Sequence, residues 1–229
     1  MVKIRILGIS ATTIKDGNCD KLVQESLKAA QEVGGVDTQF INLADKEITT
    51  CHVCQYCVEN RTNCKIKDYM YTMYDEIDQS DGIIVGVPVW VLNVSEPFAN
   101  MISRFRYFTF FSDMMRNKVV GALSLSWWGV GNDHVIDAVE RWATANNMIP
   151  VGGSGATTSA VVKGERADYL ENGVYDDVRG VLMARNIGTR VAEVARMVKY
   201  ATAAGETLPR ELHRSAWGGK IIADKWSTK

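Results

Sequence analysis

Apolar runs rich in Val and Ile recur along the chain, separated by stretches whose apolar positions fall three and four residues apart. Buried parallel strands alternating with amphipathic helices have this pattern. It predicts strands over Val2 to Gly8, Val36 to Asn42, Gly82 to Val87, Val119 to Ser126 and Met148 to Val151. Helices are predicted over Asn18 to Val33, Tyr69 to Gln79, Val94 to Phe108, Asp133 to Asn146 and Asp176 to Lys199. In the first helix Leu22, Val23, Ser26, Leu27 and Ala30 form one stripe, which stops at Gly34 and Gly35, residues suited to a helix C-terminus. The last helix is long and regularly apolar at Val181, Ala184, Ile187, Val191 and Val194. Strands each followed by a helix, joined by right-handed crossovers, predict an α/β three-layer sandwich around a five-stranded parallel sheet.

That arrangement is of the flavodoxin type rather than a barrel. The polar, poorly periodic stretch Val161 to Tyr175 is expected to be a long loop. Residues 205–229, with Pro209, Trp217, Gly218, Gly219 and Trp226, are expected to form an extension that packs on a neighbour, leaving residues 1–204 as one domain. A chain of 229 residues that is 46% hydrophobic can fill one sizeable core. The net charge is −1 and no long basic run occurs, which argues against nucleic acid or a lipid surface as a partner. Lys3 and Arg5 alternate with Ile4, Ile6 and Leu7, so the start reads as a strand and not a signal peptide. The longest apolar stretch, Gly82 to Val94, contains Pro88 and falls short of the roughly twenty residues of a membrane span. No transmembrane helix is expected.

Four of the five cysteines, Cys51, Cys54, Cys57 and Cys64, form a C-x2-C-x2-C-x6-C array after the second strand. Such crowding, with one cysteine left over, is a poor disulfide framework and suits a metal site in a reducing compartment, here the cytoplasm. Three thiolates two residues apart can take three corners of a cubane, and a fourth further on can reach the last iron, so the array points to a 4Fe–4S cluster. Structural zinc more often uses two CxxC knuckles with a longer spacer; zinc or bare thiols remain the alternatives. Four cysteines complete such a site, which leaves His52 beside it and not in it. Cys19, far away in sequence, reads as the small start of a helix.

In an open parallel sheet a ligand binds beyond the carboxyl ends of the strands. After the first strand, Gly8 to Cys19 offers small and hydroxylated residues and a helix N-terminus, a phosphate-binding arrangement in which Ser10, Thr12, Lys15, Asn18 and Cys19 are the candidate contacts. Neither GxGxxG nor GxxxxGK[ST] occurs. After the third strand come Pro88, Val89, Trp90, Asn93, Val94 and Ser95, and after the fourth Ser126, Trp127, Trp128, Gly129 and Gly131. Together these loops supply the aromatic walls and backbone donors that a flat heteroaromatic ring needs. A single phosphate-binding helix N-terminus, with no adenine-binding fingerprint, indicates FMN and not FAD.

With these residues in place, the chain resembles the iron-sulfur flavoprotein branch of the NADPH-dependent FMN reductase superfamily, to about Lys199. Its phosphate loop is similar to the family's G-x-S-G-S-P-R-K-x-G-N-T, keeping Gly8, Ser10, Lys15, Gly17 and Asn18, with Thr12 for the second Ser, Cys19 for Thr and Ile14 for Arg. Pro88, Trp90 and Ser95, with Arg104 beyond, match its second loop, and Gly129, Gly131 and Asp133 its third. Lys65, Ile66, Lys67 and Asp68 continue the cysteine array as in the family, with Tyr69 where a second Asp would stand. The resemblance implies an electron-transfer flavoprotein without a catalytic side chain. In it a 4Fe–4S cluster takes electrons from a ferredoxin-like donor and passes them to FMN and on to a small-molecule acceptor, within a homodimer or homotetramer. The alternatives are a cluster-free NAD(P)H-dependent FMN or quinone reductase and a zinc-stabilised, non-enzymatic interaction module. Because the cysteines follow the second strand, cluster and flavin are expected to share the carboxyl edge of the sheet or to meet across a subunit interface.

Overall fold

The structure, a computed structural model, describes residues 2–158 and 172–206. Most of the expected loop Val161 to Tyr175 and all but the first two residues of the expected extension lie outside the described residues. Of that loop, the described end includes a short 3-10 turn, Gly173–Asp176.

The strands are β1 (Ile4–Ser10), β2 (Val36–Asn42), β3 (Gly82–Pro88), β4 (Val119–Ser126) and β5 (Ile149–Thr157). They form one parallel sheet in the order β2-β1-β3-β4-β5, the flavodoxin order. The chain order reverses between β1 and β3, so the loops leaving those two strands splay apart and open a crevice at their carboxyl ends. The helices are α1 (Asn18–Glu32), α2 (Tyr56–Glu59), α3 (Met70–Gln79), α4 (Glu96–Ser103), α5 (Arg106–Phe111), α6 (Asn132–Ala145) and α7 (Val178–Ala203).

Alternation along the central strands sends side chains into two separate cores. Leu7, Ile9, Ile83, Val85 and Val87 meet Met73, Ile77, Phe98, Met101, Val139 and Trp142 of the helices on one face. Ile4, Ile6, Ile84 and Leu123 meet Leu22, Val23, Leu27, Ala184, Ile187 and Val191 of α1 and α7 on the other. A Cβ at Gly8 would come within 2.6 Å of Leu27, and one at Gly86 would run into Val23, so these two glycines let α1 lie close against the sheet. Its N-terminus is thereby held beside the carboxyl ends of β1 and β3.

Three elements depart from expectation. β5 continues six residues beyond Val151, through Gly152, Gly153 and Gly155. Two of its residues, Val151 and Gly152, stand opposite Gly121 alone, and this bulge puts Gly152 at φ +103°. The helix expected from Val94 to Phe108 is two helices, α4 and α5, parted at Arg104 and Phe105. The break coincides with a diverted carbonyl, since the Tyr74 hydroxyl donates to Arg104 O at 2.9 Å. The cysteine insertion also carries the unexpected α2.

Candidate functional site

At the carboxyl ends of β1, β3, β4 and β5 lies a cleft of about 300 Å3, within the range of small-molecule sites. Thr12, Ile14, Gly17, Asn18 and Cys19 line it from the loop after β1, and Pro88, Val89 and Trp90 from the loop after β3. Leu125, Ser126, Trp127 and Thr158 complete it. Eight of the fifteen cofactor-contact residues expected from sequence thus meet at one place.

The rest shape the cleft or face away from it. Ser10 is fully buried at the end of β1. Lys15 pairs with Asp45 at 2.7 Å and is not among the residues that line the cleft. Ser95 is fully buried and its hydroxyl donates to Ala11 O, tying the loop after β3 to the phosphate loop. Asn93 exchanges backbone bonds with Trp90 at 2.8 and 2.9 Å, closing a tight turn in which Val91 and Leu92 both have positive φ. Val94 packs on the core. Gly129 and Gly131 adopt φ +71° and +83°, and a Cβ at Gly131 would meet Val89 at 2.7 Å, so the third loop sits tightly against the second. Asn18 lines the cleft, but its amide oxygen accepts from Val174 N at 2.8 Å and joins α1 to the 3-10 turn. Cys19 is buried, and burial pushes its thiol up to about 12, the reverse of the acidification that a helix N-terminus can cause.

Sequence reasoning missed Asn132. Its Nδ2 donates to Ser126 Oγ at 3.0 Å and its Oδ1 accepts from Ser124 Oγ at 2.9 Å, which fixes the end of β4 under Trp127. It missed Thr158 because β5 was cut short. Ile14 was seen only as a missing charge, and it is a wall of the cleft.

The cleft fits FMN. Gly17, the residue before α1, has no side chain with which to cap the first-turn amides, which leaves those donors and the helix dipole to an anion. Trp90 and Trp127 line the same cleft and offer aromatic surface to a planar ring, with Trp127 stacked on Trp128 at 5.7 Å between centroids. Among the described residues no cationic side chain lines it, so a phosphate held there would meet backbone amides and the Thr12 hydroxyl.

None of the four clustered cysteines lines this cleft. The loop that carries them leaves β2 and packs on the flank of the α3, α4 and α5 layer, where Cys51 N donates to Ser103 Oγ at 3.1 Å and α2 lies on α5. The carboxyl edge of the sheet thus carries both the cleft and the departure of the cysteine loop, but the cysteines are not part of the cleft wall. Val53, Gln55 and Arg61 all have positive φ, a backbone bent sharply between the cysteines. Cys54 is exposed, Cys51 and Cys57 are half-buried and Cys64 is buried, all as free thiols. Burial, and then the fields of Cys64, Cys51 and Cys54, push the Cys57 thiol up against the pull of Arg106. The four sulfurs therefore share one neighbourhood, although among the described residues no three ligand side chains converge on a single ion. Four thiols are the ligand set of a cubane, whose ligands each take a different iron, and in that respect the residues fit the group.

The neck of the loop is closed by a buried ion pair. Arg104 Nη1 lies 2.6 Å from Asp68 Oδ2, with both side chains almost wholly out of solvent. Asp68 also accepts from Thr49 N at 2.9 Å, and the Tyr71 hydroxyl donates to Cys64 O at 2.7 Å.

Over residues 4–161 the chain matches the family described as NADPH-dependent FMN reductase. It belongs to that family. An iron-sulfur flavoprotein of Methanocaldococcus jannaschii is 32% identical over 197 residues, covering 86% of this chain and all of the relative. One from Archaeoglobus fulgidus is 28% identical over 191 residues, covering 82% and 96%. These relatives set the chain in the iron-sulfur flavoprotein branch. Among solved structures, RosB with a bound 8-demethyl-8-formylriboflavin-5'-phosphate superposes with a TM-score of 0.69 at 15% identity, over 90% of this chain and 88% of that one. A WrbA-like flavodoxin from Agrobacterium tumefaciens gives 0.57 at 15% identity, over 85% and 99%. The structural likeness shows the fold, and family membership makes the chain a flavin-dependent oxidoreductase with FMN as its flavin. Among the described residues no helix is long and apolar enough to cross a membrane.

Proposed function

We propose that this flavoprotein takes single electrons from a ferredoxin-like donor through a 4Fe–4S cluster at Cys51, Cys54, Cys57 and Cys64 and delivers them through FMN to a small-molecule acceptor. The observation that carries the reading is the division of labour in the fold: four free thiols gather on one closed loop, while a separate cleft, using none of them, has the features of an FMN site. The relatives named iron-sulfur flavoproteins support it. A cluster passes one electron and a flavin stores two, so the pair converts between one- and two-electron chemistry. The protein's part is binding and tuning. The α1 N-terminus and Thr12 hold the phosphate, Trp90 and Trp127 wall the ring, and the buried neck fixes the frame of the thiols. No side-chain acid, base or nucleophile is required.

Exposed Arg61, Lys65 and Lys67 surround the loop, a cationic rim suited to an acidic electron donor. Because the loop lies on the flank and not in the cleft, we take the route between the cofactors to cross a subunit interface in a homodimer or homotetramer. We take the protein to be cytoplasmic, since a crowded thiol array suits a reducing compartment.

Anaerobic purification followed by an absorption spectrum and iron, sulfide and zinc analysis tests the proposal. A brown protein with iron and sulfide supports it. A yellow protein without metal would mean the cluster-free reductase, and a colourless one with zinc the interaction module.

A further inference from the structure

Arg104 makes a complete set of bonds with one exception. Nη1 donates to Thr49 O at 2.7 Å and Asp68 Oδ2 at 2.6 Å, and Nη2 donates to Ile66 O at 3.1 Å and Asp68 Oδ1 at 3.2 Å. That uses all four Nη hydrogens. The fifth donor, Nε–H, is buried and has no partner among the described residues. Thr49 precedes the first ligand of the cysteine loop by two residues, and Ile66 follows the last by two. One planar fork therefore grips both ends of the loop and leaves a single unpaired donor. An unpaired buried donor is costly, and native structures rarely keep one without a reason. The guanidinium also lies within electrostatic reach of the Cys64 sulfur.

We propose that Arg104 is a positioning residue for the cluster: its four Nη hydrogens close the neck of the cysteine loop, and its Nε–H is the donor kept for a sulfur of the occupied site. The inference rests on the iron-sulfur reading above. It explains why a charged pair is buried here at all, since a hydrophobic pair would fill the space as well but could not hold two carbonyls and donate to a sulfur. A donor to a ligating or bridging sulfur stabilises the more negative, reduced form and so raises the potential. Lysine carries the same charge as a single point and cannot reproduce the fork.

The test compares the full chain, purified anaerobically, with Arg104→Lys. The expected result is FMN retained, iron lost to a chelator about tenfold faster, and a more negative cluster midpoint potential for the iron that remains. A variant that keeps iron as long as the native protein, at the same potential, would overturn the proposal while leaving the cluster reading intact. Native protein devoid of iron and sulfide would overturn both. Should Arg104→Lys fail to fold, hydrogen exchange on the iron-stripped native chain decides: the Thr49 and Cys51 amides, which donate to Asp68 and Ser103, should stay protected without the cluster. If they exchange as fast as exposed amides, the neck is not formed by the protein alone and the proposal fails.

Discussion

At the level of single residues, the partners that compete for a side chain decide whether it reaches the cleft. Thr12, Asn18, Trp90, Ser126 and Trp127 reach the cleft because small and aromatic residues after a strand have few other places to go. Lys15 does not, because Asp45, thirty residues on, competes for it at 2.7 Å, and nothing local in the sequence announces that partner. Ser95 is in the expected loop, yet its hydroxyl is spent on Ala11 O. Cys19 shows the same limit in its chemistry: a thiol in the first turn of a helix could be acidified, but burial dominates and pushes it up to about 12. Cys19 should therefore stay protonated and unreactive across the physiological range. Alkylation of iron-free native protein at pH 8, mapped by mass spectrometry, should label Cys51, Cys54 and Cys57, which are exposed or half-buried, and spare Cys19 until the chain is unfolded. Labelling of all five in the folded protein would show that Cys19 is accessible.

At the level of elements, hydrophobic period was enough to find all five strands and the five helices that flank the sheet, because each buries a regular face. It failed where a residue serves a neighbouring element instead of its own. The second half of β5 carries glycines, which weaken a strand pattern, but a Cβ at Gly153 would meet Ile136 at 2.5 Å and one at Gly155 would meet Asn132 at 2.8 Å, so α6 demands them. The break between α4 and α5 falls at Arg104, whose side chain serves the neck of the cysteine loop. Glycine in α7 has a similar cause. Gly188 lies against the backbone of Ser26, so a methyl group there would collide with Ser26 O and force α1 away from α7. Gly188→Ala should lower stability by about 2 to 3 kcal/mol, despite alanine's better helix propensity. It should also weaken FMN binding, since α1 presents its N-terminus to the cleft. Urea denaturation of the FMN-free chain and a flavin fluorescence titration check the two effects; a more stable variant would mean that the helices do not touch at this point.

For the molecule as a whole, the sheet order and the cleft at its switch point follow from the alternation of strands and helices, which is why the fold could be read before any coordinates. The path between the FMN cleft and the proposed cluster site could not, because it depends on which way a long insertion turns. The cysteine loop leaves β2 at the carboxyl edge, where Cys51 bonds to Ser103 and α2 lies on α5, and none of its cysteines lines the cleft. On the proposed reading the cysteine loop and the cleft are separate sites, so one can be emptied without the other. Cys57→Ala should lose the cluster and keep FMN, since no cleft residue changes. Reduced ferredoxin should then fail to reduce the flavin, while a small chemical reductant still succeeds. Transfer across a subunit interface adds a second signature, dependence on assembly. Light scattering should find the native chain as a dimer or tetramer, and the rate of ferredoxin-driven flavin reduction per chain should fall on dilution as that assembly dissociates, with reduction by the small reductant unchanged. A rate per chain that stays constant through dissociation would mean that electrons pass within one subunit. An undiminished rate in Cys57→Ala would mean that they bypass the cysteine loop, and would favour direct reduction of the flavin by a nicotinamide.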